Sequence, residues 1–205
     1  MKPLRSLLLI GMLSGGCHAA EVDRSRLREA DILFQTSRSS QSLAIQLATH
    51  SRYSHMGILF LQGRRWMVYE AVQPVKWTPL DAWIRRGAQR RVVVKRLRDR
   101  DRRLTPQVLG RMKAAGSRFL GKPYDLTFEW SDDQIYCSEL VWKIYKEGAG
   151  IELGSLQTLG EFDLSHPAVQ AKIRERYRGQ PPMDEPVISP QRIFDCPDLE
   201  TVAAQ

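Results

Sequence analysis

The sequence lacks any hydrophobic stretch long enough to cross a membrane. Its most apolar run, residues 7–13, is too short to span a bilayer as a helix, and no later segment is predicted to do so. Internal repeats and low-complexity linkers are also absent. The roughly 185 residues that follow the N-terminal segment suffice for one domain with a substantial core.

Metal-ligand and nucleic-acid-binding patterns are lacking as well. His50 and His166 have no partners at metal-ligand spacing, so the sequence predicts no metal site, and no cofactor is expected. We find no nucleic-acid-binding module, although the formal net charge is +8 at pH 7. Basic residues concentrated between positions 85 and 103 could attract anionic lipids or an acidic cell-envelope polymer, but a solvated surface explains the same pattern. The oligomeric state is left open.

The N-terminus has the pattern of a secretory signal. Lys2 and Arg5 precede the apolar run, and small residues offer a cleavage site before Ala20. We therefore expect residues 1–19 to be removed and residues 20–205 to form a single exported, periplasmic domain. The alternative is a lipoprotein anchored at Cys17, since two glycines precede this cysteine as in a lipobox. The residues further upstream fit that motif poorly, which favours cleavage without a lipid.

One pair of predicted strands places a histidine near a carboxylate. Residues 53–61 are rich in strand formers, residues 62–65 resemble a turn, and residues 66–72 predict a returning strand. With the two-residue loop Gln62-Gly63, His55 lies directly opposite Glu70; with a four-residue loop the pair is diagonal but stays on one face. Glu70 can then hold one ring nitrogen of His55 and leave the other free for a nucleophile. The alternative is an ordinary surface His–Glu pair.

A predicted helix carries the candidate nucleophile. Residues 134–145 have helical spacing, and Asp132 and Asp133 are suitable N-cap residues before it. Cys137 lies in the first turn and faces inward, where the helix dipole and a nearby imidazolium lower a thiol pKa. The alternative is a buried cysteine that serves as a small apolar residue. Pairing with Cys196 would silence the nucleophile, so we expect Cys196 to be incidental.

Three segments around the candidate site resemble those of a known family. Residues 120–124 and 136–141 resemble the Pro-Tyr and Cys-Ser-x-Leu-Val segments of NlpC-type cysteine peptidases, and residues 53–58 resemble their histidine strand. Here the histidine strand precedes the cysteine helix, as in the circularly permuted branch of papain-like amidases. Within that branch the chain is similar to the YiiX type, and the resemblance covers nearly the whole mature chain.

The resemblance implies an α+β fold of the permuted papain-like, NlpC-type class, with a small antiparallel sheet packed against the cysteine helix. It also implies Cys137 as nucleophile, His55 as base and Glu70 as the polar third member. Tyr124 would line the cleft or support the oxyanion, although packing explains it equally well. Trp130 and Tyr136 could form aromatic walls or belong to the core.

Further helix starts and loops follow from local signals. Helices are predicted to begin near Ser39 and Ser40 and, with a proline at the first helical position, after Thr78, Thr105, His166 and Ser189. Additional strands are predicted over residues 31–35 and 91–97. The loops over residues 150–162 and around Pro181-Pro182 are expected to frame a substrate cleft.

The predicted function is amide hydrolysis by an exported cysteine hydrolase, through a thioacyl intermediate with the oxyanion held by backbone N–H groups near Cys137. Substrates would be a cell-envelope peptide or an N-acylated small molecule or lipid. A thiol acyltransferase or lipid hydrolase on the same scaffold is the alternative. A non-catalytic binding module is a third possibility, against which the intact Cys137, His55 and Glu70 argue.

Overall fold

The computed structural model describes residues 22–205. The predicted signal segment 1–19, its cleavage before Ala20 and the alternative anchor at Cys17 lie outside the described residues. Within residues 22–205, no helix has the length and apolar character needed to span a membrane.

A six-stranded antiparallel sheet forms the centre of the fold. The strands along the chain are β1 (Ile32–Gln35), β2 (His55–Gln62), β3 (Arg65–Glu70), β4 (Lys76–Pro79), β5 (Val93–Leu97), β6 (Gln157–Thr158), β7 (Pro186–Val187) and β8 (Leu199–Ala204). The sheet has the order β4-β3-β2-β1-β5-β8 with all neighbours antiparallel, and β6 and β7 form a separate short pair. The strand that starts with His55 and the strand that ends with Glu70 are thus neighbours.

Helices flank the sheet, and several begin where the sequence predicts. They are α1 (Ser42–Thr49), α2 (Leu80–Arg86), α3 (Arg100–Arg103), α4 (Pro106–Ser117), α5 (Cys137–Ala149), α6 (Pro167–Tyr177) and α7 (Pro190–Phe194). In α4, α6 and α7 a proline follows a capping side chain, Thr105, His166 or Ser189, that accepts a backbone N–H of the first turn.

Two predicted helix starts are wrong. Thr78 does not cap α2, because it lies inside β4 and its hydroxyl is used elsewhere. The residue before α1 is Gln41, which makes no side-chain cap, so neither Ser39 nor Ser40 caps this helix. In both cases a polar side chain near the helix start makes tertiary contacts in the site described below instead of capping the helix. For α2 this side chain is Thr78, and for α1 it is Gln41, the neighbour of Ser40.

The core has two layers, one on each face of the sheet. Met56, Ile58 and Phe60 of β2 pack with apolar residues of α5 and α4, whereas Leu59 faces the other side and packs with Trp83 of α2. Because α5 lies directly on β2, its N-terminus comes to the end of the strand at which His55 lies.

Candidate active site

The β2–β3 hairpin has a different loop from the one predicted. Leu61 pairs with Trp66 and Gln62 with Arg65, so the loop is Gly63-Arg64 instead of Gln62-Gly63. Continued along the strands, this register places Glu70 opposite Gly57. The expected direct pairing of His55 with Glu70 is therefore wrong, and the diagonal arrangement on one face is the one observed.

The diagonal contact depends on the missing side chain at Gly57. A Cβ at this position would lie 2.6 Å from Cγ1 of Val68 and 3.3 Å from Cβ of Glu70, too close for a side chain to fit. The space left free lets Glu70 reach along the sheet to His55. Oε2 of Glu70 lies 2.6 Å from Nε2 of His55.

Glu70 is completely buried and is held by two further donors. The Thr78 hydroxyl donates to Oε1 at 2.6 Å, and the Arg86 guanidinium donates to Oε2. Burial alone would raise the pKa of this carboxyl, but the hydrogen bonds and positive charges of His55 and Arg86 outweigh it and lower the pKa to about 2. Glu70 is thus an anion with a fixed orientation.

His55 lies between this carboxylate and the thiol. Its ring stacks on Trp83 with centroids 6.0 Å apart. Because Nε2 faces Glu70, Nδ1 is the nitrogen left to hydrogen-bond Cys137. Burial would lower the pKa of His55, yet the hydrogen bonds and charges of Cys137 and Glu70 raise it to about 9. The imidazole therefore favours its protonated form.

Cys137 is the first residue of α5, so the helix begins three residues later than predicted. Tyr136 occupies the cap position, and its backbone N–H donates to Glu139 at 3.4 Å. The proposed caps Asp132 and Asp133 are wrong, since Asp132 instead pairs with Lys143 of α5 at 2.8 Å. The position of the thiol in the first turn agrees with the sequence analysis.

The surroundings of Cys137 favour a thiolate. Burial would raise the pKa of the thiol, but the hydrogen bond and charge of His55 outweigh it, aided by the Met56 backbone N–H and the Tyr124 hydroxyl. The resulting pKa lies below the ordinary value for cysteine. A thiolate–imidazolium pair, oriented by an ionised carboxylate, is the arrangement that activates a cysteine for nucleophilic attack.

Tyr124 lies at the thiol and belongs to a short polar network. Its hydroxyl hydrogen-bonds Cys137 and accepts from Nε2 of Gln41 at 3.2 Å. Oε1 of Gln41 accepts from Arg176 at 2.7 Å. Since an arginine can only donate, it fixes the Gln41 amide with its NH₂ group toward Tyr124 and the site.

A partly open, mainly apolar cleft lies at Cys137, with a cavity volume of about 100 Å³. Tyr136 lines it and Trp130, which packs on Trp142, does not. Leu159 and Phe162 from the predicted framing loop also line the cleft, whereas Pro181-Pro182 does not.

Both described cysteines are free, and Cys196 lies apart from the cleft. Among residues 22–205 no group of three or more His, Cys, Asp or Glu side chains is placed to hold a metal ion. The absence of a cofactor remains a prediction.

The residues that support the trio have no clear signal in the sequence. The local pattern predicts Thr78 as a helix cap, and Arg86 belongs to an Arg-Arg pair that composition alone places in solvent. Gln41 lies in a segment, residues 39–42, that resembles the family but indicates no role for it, and Trp83 carries no motif. Only the alternation of polar and apolar residues at positions 76–79, directly after the hairpin, could have indicated a fourth strand and hence Thr78 beside Glu70.

Comparison with known proteins agrees with this geometry. Residues 26–203 match the model of a family described as "Permuted papain-like amidase enzyme, YaeF/YiiX, C92 family". The chain is 51% identical over 175 residues to "Uncharacterized protein YiiX" of Escherichia coli (strain K12), covering 85% of each. The crystal structure of a protein described as metalloprotein yiiX from Escherichia coli O157:H7, DUF1105, superposes with a TM-score of 0.83 at 50% identity, covering 88% of this chain and 98% of that one. The chain therefore belongs to the YaeF/YiiX family of permuted papain-like amidases and is a cysteine hydrolase with an α+β fold.

Proposed function

We propose that this hydrolase cleaves an amide bond through Cys137, His55 and Glu70, by way of a thioacyl intermediate. The observation that carries the proposal is the buried 2.6 Å hydrogen bond between Oε2 of Glu70 and Nε2 of His55, with the Cys137 thiol interacting with the same imidazole at the wall of a cleft. The directions of the three pKa shifts support it, since each favours the charge that the reaction requires.

In the proposed reaction the Cys137 thiolate attacks the amide carbonyl, and a C–S bond forms as the carbonyl π electrons move to oxygen. Collapse of the tetrahedral intermediate breaks the C–N bond, and His55 gives its proton to the leaving amine. His55 then takes a proton from water, and the resulting hydroxide attacks the thioester carbonyl. The C–S bond breaks, the carboxylic acid leaves, and Cys137 is again a thiolate beside protonated His55. Glu70 holds the ring throughout and balances the imidazolium charge.

The oxyanion would be held at the N-terminus of α5. The first backbone N–H groups of a helix have no partner within the helix, so those of Cys137 and Ser138 are suitable donors. The Tyr124 hydroxyl, which contacts the thiol, and the NH₂ group of Gln41, which donates to that hydroxyl, would add side-chain donors.

The compartment and partners are part of the same proposal. The N-terminal pattern supports export to the periplasm, where cell-envelope peptides and N-acylated compounds would be available, and the basic surface supports a peripheral membrane contact. The Escherichia coli relative is described as a metalloprotein, whereas residues 22–205 of this chain hold no group of three or more His, Cys, Asp or Glu side chains placed to bind a metal ion.

The test is hydrolysis of a panel of N-acyl aminocoumarin amides by the wild-type enzyme and by Cys137→Ser. Cys137-dependent release of the coumarin, with a protein mass increased by the acyl group in rapidly quenched samples, is the expected result. Release that persists in Cys137→Ser would refute the proposal. Adding hydroxylamine or an alcohol then measures whether the acyl group passes to water or to another nucleophile, which separates a hydrolase from an acyltransferase.

A further inference from the structure

We infer that a second pocket, separate from the cleft at Cys137, binds a phosphate group. It lies where the end of β1 meets the start of β5 and the end of β8, and its cavity volume is about 470 Å³. We call it the strand-end pocket. None of the residues that line it also lines the cleft, so the inference goes beyond the proposed hydrolysis and does not depend on it.

Two arginines give the strand-end pocket its charge. Arg52 and Arg91 both line it, and neither guanidinium forms a salt bridge with any of residues 22–205. No acidic side chain from this part of the chain lines the pocket. Arg91 belongs to the basic stretch between positions 85 and 103, for which the amide hydrolase mechanism has no use. Two unpaired cations in one concave site favour an anionic ligand.

Gln35 adds an uncharged polar group to the same pocket. This residue is only 2% exposed, and its Oε1 is enclosed without a hydrogen-bond donor among the described residues. The rest of its side-chain amide makes no hydrogen bond within residues 22–205 either. A buried amide without partners is costly, so its position in the wall of a pocket indicates a ligand. Because Oε1 is enclosed, the NH₂ group is the part of the amide that meets the ligand, and it can only donate.

The turn that carries Arg91 to the pocket has an uncommon backbone. Gln89 and Arg90 have φ angles of 54° and 57°, in the left-handed region that residues other than glycine rarely adopt. The turn is joined to the end of β1 by the Ala88 backbone N–H, which donates to the Thr36 carbonyl at 2.9 Å. Strained backbone of this kind persists where its surroundings fix it, and it concentrates at ligand sites.

This set of donors fits a phosphate better than a carboxylate. A carboxylate has two coplanar oxygens, which a single guanidinium can satisfy, whereas phosphate oxygens are arranged tetrahedrally and accept from groups on several sides. The side chains of Phe34, Tyr53 and Val93 leave an apolar part of the wall for the group that carries the phosphate. Both a soluble phosphate ester and the head group of an anionic lipid have this chemistry.

The experiment is calorimetric titration of the full-length protein with methyl phosphate and, separately, with acetate at low ionic strength. The wild type should bind methyl phosphate more tightly than acetate, and added salt should weaken the binding. Arg52→Gln and Arg91→Gln should each raise the Kd for methyl phosphate about tenfold, since each removes a charged hydrogen bond. Gln35→Met, which removes the amide and keeps an unbranched side chain, should raise it as well.

Arg103→Gln is the matched control, because Arg103 is an exposed arginine of the same basic stretch that does not line the pocket. It removes the same charge and should leave the Kd at the wild-type value. Iodoacetamide labelling of Cys137 should proceed at the wild-type rate in Arg91→Gln, which shows that the substitution leaves the thiol site intact.

Vesicles identify the source of the phosphate. Sedimentation is compared for phosphatidylcholine vesicles with and without phosphatidic acid. Binding that requires phosphatidic acid, is weakened in Arg91→Gln and is competed by methyl phosphate would support the site and assign it to a lipid. Methyl phosphate binding without vesicle binding would support the site and assign it to a soluble ester.

Three results would overturn the inference. The first is a wild-type protein that does not bind methyl phosphate at low ionic strength. The second is acetate binding as tight as that of methyl phosphate. The third is an equal loss of affinity in Arg103→Gln and Arg91→Gln, which would mean that the net charge of the protein attracts the anion without a defined site. Each of these would leave the proposed amide hydrolysis untouched.

Discussion

At the scale of single residues, the charge state of Glu70 controls the site. Its two carboxylate oxygens are shared among His55, Thr78 and Arg86, so the anion persists although it is completely buried. A buried carboxylate with this many donors orients the imidazole and stabilises its protonated form at once. The two effects are separable, because an amide can still orient the ring but carries no charge.

Substitution of Glu70 and His55 should therefore give a graded series. Glu70→Gln keeps an acceptor for the His55 N–H and should retain part of the activity, whereas Glu70→Ala should lose more because the ring is free to turn away. His55→Ala should be the most damaging, with a loss of about 10²–10⁴ in kcat/KM, since it removes the base. Steady-state kinetics on an active amide reporter give the comparison. A Glu70→Ala enzyme with wild-type kcat/KM would show that Glu70 has no part in the reaction.

Gln41 offers a second test at this scale. If its NH₂ group stabilises the oxyanion, Gln41→Ala should lower kcat by about 10²–10³. Alkylation of Cys137 by iodoacetamide forms no oxyanion, so its rate should change far less. An equal loss in both measurements would mean that Gln41 only positions the thiol and its neighbours.

At the scale of elements, the hairpin and its turn explain how much of the site the sequence predicts. The observed register differs from the direct pairing by two residues, and a shift of two keeps His55 and Glu70 on one face because the side-chain period is two. The correct loop was accessible in principle: Gly63 has φ +60°, and glycine at the first loop position is typical of a type II′ turn.

Three helix starts marked by proline, those after Thr105, His166 and Ser189, follow from local signals, whereas β4 and β8 do not. β8 exists through its pairing with β5, about a hundred residues earlier in the chain, and no local pattern specifies such a partner. The same reasoning applies to Thr78 and Arg86, whose contacts with Glu70 arise only after β3, β4 and α2 have packed together.

Gly57 allows a test of the hairpin geometry. Gly57→Ala should destabilise the protein by about 1–3 kcal/mol, because its Cβ collides with Val68 and pushes β3 away from β2. It should also reduce kcat/KM by separating Glu70 from His55. Urea unfolding and kinetics measure the two effects. Gly110→Ala in α4, where a Cβ meets nothing within 4 Å, is the control and should be neutral or slightly stabilising. Equal stability of the two variants would contradict the packing described for β2 and β3.

At the scale of the whole molecule, the chain combines a cysteine site in a cleft with a signal pattern at its N-terminus. Export would deliver the enzyme to envelope substrates, and whether it is released or tethered decides how it meets them. Mass spectrometry of the mature protein, purified from the periplasm and from membranes, should give an N-terminus at Ala20 without lipid. A diacylated Cys17 would instead make it a membrane-tethered enzyme.

The central claim is that Cys137 reacts as a thiolate paired with His55, and the pH dependence of its alkylation tests this most directly. Iodoacetamide rates at Cys137 and Cys196, resolved by peptide mass spectrometry from acid to about pH 10, are compared in the wild type and in His55→Ala. We expect fast labelling of Cys137 near neutral pH, slow labelling of Cys196, and a Cys137 profile that rises below the unperturbed value of about 8.5. Because the hydrogen bond and charge of His55 lower the pKa of the thiol, His55→Ala should move that profile to higher pH. Equal reactivity of the two cysteines, or a Cys137 midpoint near 8.5 in both proteins, would contradict the account.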